Sequence, residues 1–280
     1  MPERVPPTPI GSVTRGTTNT NRLRRVDRWI TALPELRRAA HPLVVDLGYG
    51  ASGVTTFELY ARLARVRPDV RVVGFEIERG RVDIARRQLA ERGDERLRAA
   101  VRFAVGGFEV PLPPGEPATV IRAFNVLRQY DEGEVVAAWR TMLRRVDGDG
   151  VLLDGTCNEV GRVASWVDVS PAGPRSLTIA LRLAGLERPS IAAERLPKVL
   201  IHRNVPGEPV HDLLTALDRA WQLAAPLAPY GPTQRWIAAV QQLSAAGWPV
   251  IGRRSRWRLG EVTVPWESVR PRDFTWPSAG

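Results

Sequence analysis

The chain has 280 residues, 44% of them hydrophobic, and a formal net charge of +10. That length can bury a sizeable core in one large domain or two small ones, and no unbroken apolar run reaches membrane-spanning length, so no membrane partner is expected. One cysteine, Cys157, excludes an internal disulfide or a thiolate cluster, and the three histidines lack zinc-type spacing, so no metal is predicted.

The positive charge is almost all arginine, since Lys198 is the only lysine among 40 basic residues. A GC-rich genome produces that skew whatever the function. The charge therefore biases encounters toward polyanions, nucleic acid included, without identifying one.

Residues 1–18 contain four prolines and no hydrophobic period, which predicts a mobile N-terminal arm. Its polar opening, MPERVPPTPIGSVTRG, lacks a signal-peptide pattern, so the expected location is cytoplasmic. From Asn21 to Ala40, Leu23, Val26, Ile30 and Leu33 recur at helical spacing, with Thr20 or Asn21 as N-cap and Pro34 as a kink or restart. The opposite face carries Arg22, Arg24, Arg25 and Arg28, read either as a solvated face or as a docking surface.

Val44 to Thr56, VVDLGYGASGVTT, organises the rest. A buried strand runs into a glycine turn, and the amphipathic FELYARLARV follows as a helix. Gly48 and Gly50 permit positive φ and a close approach of main-chain N–H groups to a small ligand. Gly48, Gly50 and Gly53 also satisfy the dinucleotide fingerprint G-x-G-x-x-G, which keeps a nicotinamide-dependent oxidoreductase as a rival. Asp46 argues against a diphosphate, because its carboxylate stands at the end of the strand where the phosphates would lie. S-adenosylmethionine has no phosphate, and its ammonium group suits an aspartate. Glu76 closes the second strand, VRVVGFE, and is placed to accept hydrogen bonds from two ribose hydroxyls.

On these residues the sequence resembles the class I S-adenosylmethionine-dependent methyltransferases: VVDLGYG is similar to their first motif and VVGFEIE to their second. The stretches TRGTTNTNRLRRVDRWI and RWRLGEVTVPW extend the resemblance to a group of these enzymes from high-GC bacteria. The implied fold is α/β, a Rossmann-like methyltransferase sheet with helices on both faces, a leading N-terminal helix and a C-terminal α/β extension. The implied cofactor is S-adenosylmethionine, held by Asp46, Gly48, Tyr49, Gly50 and Glu76, with Phe108 and Asn125 as further contacts. In the family an acid after the third strand reads the adenine amino group. Here Gly107 stands at that position, so adenine recognition stays open, with Phe108 either stacking on the base or packing in the core.

Alternating strands and helices continue with a helix over Arg79 to Arg92, a strand over Val101 to Val105 and a strand over Ala118 to Asn125. A helix from Asp131 or Glu132 precedes a DGDG turn and a strand over Val151 to Gly155. Two further strands, Trp166 to Val169 and Ser176 to Arg182, are joined by a PAGP turn as an antiparallel final pair. The predicted organisation is thus an arm at 1–18, a methyltransferase domain at 19–185 and an extension at 186–280. The extension holds helices near 210–223 and 233–246 and a closing hairpin over about 249–266. It also holds six of the nine tryptophans, which predicts a core of its own, and as an added layer beside the cleft it reads either as a substrate cap or as a plain structural extension. In RSRWRL, strand alternation puts Arg256 and Arg258 on one face and Trp257 on the other.

Methyl transfer from a sulfonium needs acceptor and methyl held in line, and a base only if the acceptor must lose a proton. The cofactor site is therefore more legible than the acceptor site. Candidates on the acceptor side are Asn125 and Tyr130 after the fourth strand, and His202 and His211 as bases. The sequence predicts an enzyme whose unidentified methyl acceptor is a small molecule rather than RNA. The alternative is a non-catalytic cofactor-binding or nucleic-acid-binding protein, docking a polyanion through Arg22–Arg28 and Arg253–Arg258.

Overall fold

The computed structural model describes residues 8–14, 16, 19–92 and 94–277. The remainder of the predicted arm, residues 1–7, 15, 17 and 18, lies outside the described residues. Chain order is α1 (Arg24–Ile30), α2 (Pro34–Arg38), β1 (Leu43–Leu47), α3 (Val54–Leu63), β2 (Arg71–Glu76), α4 (Arg79–Glu91), α5 (Glu95–Ala100) and β3 (Val101–Val105). Then come β4 (Ala118–Phe124), α6 (Val135–Leu143), β5 (Val146–Cys157), β6 (Val163–Ser170), β7 (Gly173–Leu181), α7 (Lys198–Ile201), α8 (Pro209–Leu223), α9 (Pro232–Ala245), α10 (Arg254–Trp257) and β8 (Glu261–Pro265).

One eight-stranded sheet has the order β3-β2-β1-β4-β5-β6-β7-β8. The first five strands are parallel and the last three antiparallel. Because side chains alternate across a strand, β1 divides between two cores. Leu43, Val45 and Leu47 face α6, α8 and α9, whereas Val44 faces α1 to α4. Both faces are covered, as parallel strands that read as continuous Val/Ile/Leu runs require.

The expected antiparallel pair is present as β6 and β7, with Trp166 opposite Thr178 and Val167 opposite Leu177, and β8 adds a further antiparallel strand at the sheet edge. The predicted closing hairpin is reduced to one bridge, Ile251 to Thr263, and RSRWRL forms the short helix α10 rather than a strand. Arg256 binds Glu261 at 2.7 Å and stacks 4.8 Å from the Trp29 ring, so contacts to α1 and β8 override the local alternation. Nor does the extension have a separate core. Trp221, Trp236 and Trp266 join the cluster that contains Leu43 and Ile121. DGDG lies within β5, at an irregular register against β4, rather than in a turn.

The leading helix departs from the solvated reading. Arg22 and Arg25 are buried and donate to main-chain carbonyls, Arg22 to Asn158 and Arg25 to Gly161 and Leu259. Arg256 also donates to the Arg28 carbonyl, which brings the two arginine clusters together.

Asp154 on β5 is fully buried and accepts a hydrogen bond from Trp139 Nε1 at 3.0 Å. Burial pushes its carboxyl up to about 7, with Trp139 opposing the shift. The folded chain thus keeps a proton that the unfolded chain releases near pH 4, so this group erodes stability as pH rises from about 4 to about 7. The loss amounts to roughly 4 kcal/mol at most. In melting curves across pH 4 to 8, Asp154→Asn should gain on the native protein as pH rises. A constant difference in Tm would contradict the assignment.

Candidate functional site

The strand order reverses between β1 and its neighbours β2 and β4, and ligands in such sheets sit outside the carboxyl ends at that switch point. Gly48 and Gly50, with φ of 68° and 92°, form the elbow after β1. Glu76 ends β2, Gly106 to Glu109 follow β3, and Asn125 follows β4. All four segments converge on one crevice.

Asp46 is 2% exposed and its carboxylate is already engaged. Oδ1 accepts from Arg122 Nε at 3.0 Å, and Oδ2 accepts from Thr56 Oγ1 at 2.8 Å and lies 2.6 Å from Arg122 Nη2. Arg122, on β4 and fully buried, also pairs with Asp27 of α1, and Asp27 binds Arg62 at 2.7 Å. The expectation that Asp46 meets an ammonium group, directly or through water, is narrowed: Arg122 neutralises its carboxylate, which holds β1, β4 and α1 in register while still lining the cavity beside the elbow. Burial pushes the Asp27 carboxyl up to about 6 even against the pull of Arg122.

The elbow amides are also committed. Gly48 N donates to the Phe75 carbonyl at 2.8 Å, Gly50 N to Glu76 Oε2 at 3.1 Å, and Gly53 N to Gln88 Oε1 at 3.0 Å. The expected free N–H cradle at Gly48 and Gly50 is thus absent from the described contacts. What the glycines provide is room: a Cβ on Gly48 would lie 2.7 Å from Val126 Cγ2. The Tyr49 ring packs edge-on against Phe103 at 5.2 Å and belongs to the core.

The Glu76 carboxylate points into the crevice, where Gly50 N and Ile77 N hold one oxygen each and Arg81 stands 3.8 Å away. Burial raises its pKa, and the Gly50 N–H and Arg81 pull it back. Phe108 is buried against Tyr130, with ring centroids 5.1 Å apart. Sequence reasoning did not single out Glu109, an acid in the same loop as Gly107. Its Oε1 accepts from Gly107 N at 2.8 Å and its Oε2 is aimed over the crevice at Ile10 N, 2.7 Å away. The available signal was an acid two residues further along the loop.

A cavity of about 510 Å³ continues from the elbow toward β4 and the extension. Arg22, Asp46, Asn125, Arg128, Gln129, Glu159 and Arg195 supply its polar lining. Asn125, at φ 60°, is locked to Cys157: its Oδ1 accepts from Cys157 N at 3.0 Å and its Nδ2 donates to Cys157 Sγ at 3.4 Å. Burial pushes the Cys157 thiol up, against Arg22 and Asn125. Tyr130 is not in the lining of this cavity; its ring packs on Phe108 and its hydroxyl accepts from Ser12 N.

The histidine candidates are not brought to this cavity. His202 is exposed beside Lys198, and His211 sits on α8 against Asn204, lining a separate groove of about 910 Å³. Both are set aside as bases because the extension packs with these residues away from the elbow.

The fold is α/β and Rossmann-like. Solved structures similar to this chain include the O-methyltransferase NcsB1 from neocarzinostatin biosynthesis, in complex with S-adenosyl-L-homocysteine, at 27% identity and a TM-score of 0.35. That match covers 46% of this chain and 38% of NcsB1. The mitomycin 7-O-methyltransferase MmcR is 24% identical over 48% of this chain and 36% of its own, with a TM-score of 0.37. The CcbJ methyltransferase from Streptomyces caelestis is 21% identical over 56% of this chain and 68% of its own, also with a TM-score of 0.37. The chain thus spans less than two-fifths of the length of NcsB1 and of MmcR. No protein-family model and no curated protein matches the sequence.

Arg122→Ala would leave Asp27 and Asp46 buried without their shared cation. The expected cost is about 3–5 kcal/mol in denaturant unfolding, smaller near pH 5 than at pH 8 because protonation relieves Asp27. An unchanged midpoint would remove the triad from the account of the site.

Proposed function

We propose that this protein is an S-adenosylmethionine-dependent methyltransferase acting on a small, acidic acceptor. The observation that carries the reading is Glu76, buried at the end of β2 with its carboxylate turned into the elbow. A carboxylate has about four lone-pair sites, and after bonds from the Gly50, Ile77 and Glu78 main chain it retains capacity to accept from a ribose hydroxyl. Phe108 N–H and the Glu109 carboxylate add a donor and an acceptor, the complement of an adenine edge.

The rival diphosphate cofactor fits less well. Neutralisation of Asp46 by Arg122 removes the repulsion first weighed against it. The objection now comes from the main chain, since Gly48, Gly50 and Gly53 spend their N–H groups inside the protein and a phosphate cradle requires them free.

When bound, the cofactor supplies a methyl group already activated on a sulfonium. The chain's own task is then to orient the acceptor and keep water out, which is where catalysis of this type gains about 7–11 kcal/mol. Arg22, Arg128 and Arg195 line the acceptor side, and Arg195 Nε is buried with no hydrogen-bond partner among the described residues. Hydroxyls of Thr156 and Ser165 donate to the Arg195 carbonyl and fix that residue over the cavity, so the extension contributes to the site as a cap. Glu159 is kept below the ordinary carboxylate range by a main-chain hydrogen bond and by Arg195, which makes it a poor base. These groups favour an acceptor that carries its own negative charge, such as a carboxylate or an acidic phenol.

Calorimetry with S-adenosylhomocysteine should show micromolar binding, and Glu76→Ala should weaken it tenfold or more, since a charged hydrogen bond contributes about 1.5–3 kcal/mol. Absence of binding to the wild type ends the proposal. With labelled S-adenosylmethionine and separated RNA, protein and small-molecule pools, the label should enter the organic acids. Label in RNA would instead favour the surface where Arg28 meets Arg253–Arg258. Once an acceptor is in hand, Arg195→Ala should raise its KM with little change in kcat.

A further inference from the structure

Residues 8–14 and 16 lie in the crevice where the nucleoside would bind, attached mostly through their main chain. Phe108 N donates to the Ile10 carbonyl at 2.8 Å, and Ile10 N donates to Glu109 Oε2 at 2.7 Å. Ser12 N donates to the Tyr130 hydroxyl, and the Ser12 carbonyl accepts from Gln129 Nε2 at 3.0 Å. Arg81 holds Thr14 by its carbonyl at 3.0 Å and its hydroxyl at 3.2 Å, and Ala51 N donates to the Gly16 carbonyl at 3.1 Å. Contact is close throughout. A Cβ on Gly107 would lie 2.0 Å from the Ile10 oxygen, and one on Gly11 would lie 2.9 Å from the Tyr130 hydroxyl. Only about 10 Å³ stays open among Ile10, Ser12, Thr14, Gly48, Glu76 and Phe108.

We infer that this segment is a built-in competitor of the cofactor, with the Ile10 residue standing in for adenine. This rests on the methyltransferase reading above. Ile10 offers one acceptor and one donor on a single edge, the pattern that N1 and the 6-amino group of adenine present. It meets the same Phe108 N–H and Glu109 carboxylate. The predicted mobile arm is therefore corrected over its described residues: Ile10 to Thr14 are docked.

Docking mostly by main-chain hydrogen bonds makes the segment displaceable. Ile10 and Val13 remain 51% and 47% exposed, so little apolar surface is buried and the hold comes from hydrogen bonds. A nucleoside that replaces those bonds and adds contacts to Glu76 wins once its concentration is high enough. Cofactor binding and release of the segment are then one equilibrium, and apparent affinity is lowered by the fraction of chains with the segment docked.

The test compares S-adenosylhomocysteine binding by the full chain, by full-length Ile10→Pro, which lacks the N–H given to Glu109, and by a chain lacking residues 1–16. Both altered proteins should bind at least five times more tightly than the wild type. Amide hydrogen exchange at Ile10 and Ser12 in the wild type should accelerate when the ligand is added. Equal or weaker binding by both altered proteins, or slower exchange at Ile10 and Ser12, would make the segment a lid that closes on the cofactor and overturn the inference while leaving the methyltransferase reading in place. No binding by any of the three would overturn that reading, and the inference with it.

Discussion

Arg122, buried between Asp27 and Asp46, is the contact on which the arrangement of the crevice depends. A lone carboxylate at either position would carry a heavy desolvation cost, and a lone guanidinium between them would be worse. Together they satisfy one another, and Thr55 and Thr56 complete the shell around Asp46. The effect is mechanical. Strands β1 and β4 and helix α1 are pinned to a common point directly below the elbow, so the crevice opens at a fixed place.

Beyond that point the elbow is shaped more by space than by donors. Its amides bind Phe75, Glu76 and Gln88, and the glycines remove side chains that would meet Val126 or the rings around Phe103. On the proposed function, a ligand here would meet the carboxylates of Glu76, at the end of β2, and Glu109, in the loop after β3, which match a nucleoside's hydroxyls and amino group better than phosphates.

Segments far apart in the chain meet at this crevice: Ile10 to Thr14 lie beside Gly48, Glu76 and Phe108, while Arg195, on the 3-10 stretch Pro189–Arg195, lines the cavity with Asn125. The last strand, β8, joins the same sheet as the glycine elbow, and the tryptophans of α8 and α9 pack on it. Position in the sequence thus says little about proximity to the site.

Periodicity and turn chemistry in the sequence alone determined the parallel half of the sheet, the elbow after β1, the acid ending β2 and the helices on either face, because each follows from contacts within about ten residues. Helices α8 and α9 were legible for the same reason. Tertiary structure decided what local pattern cannot encode. Asp46 looked free to meet a ligand until Arg122, seventy-six residues away, filled its oxygens. Arg22 and Arg25 looked solvated until distant carbonyls claimed them, and Ile10 looked unpartnered until Glu109 and Phe108 offered it hydrogen bonds. RSRWRL alternated like a strand, yet Glu261 and Trp29 drew Arg256 into a helical turn. In each case a charge or a main-chain hydrogen-bonding group found its partner across the fold, and such partners are chosen by distance in space rather than along the chain.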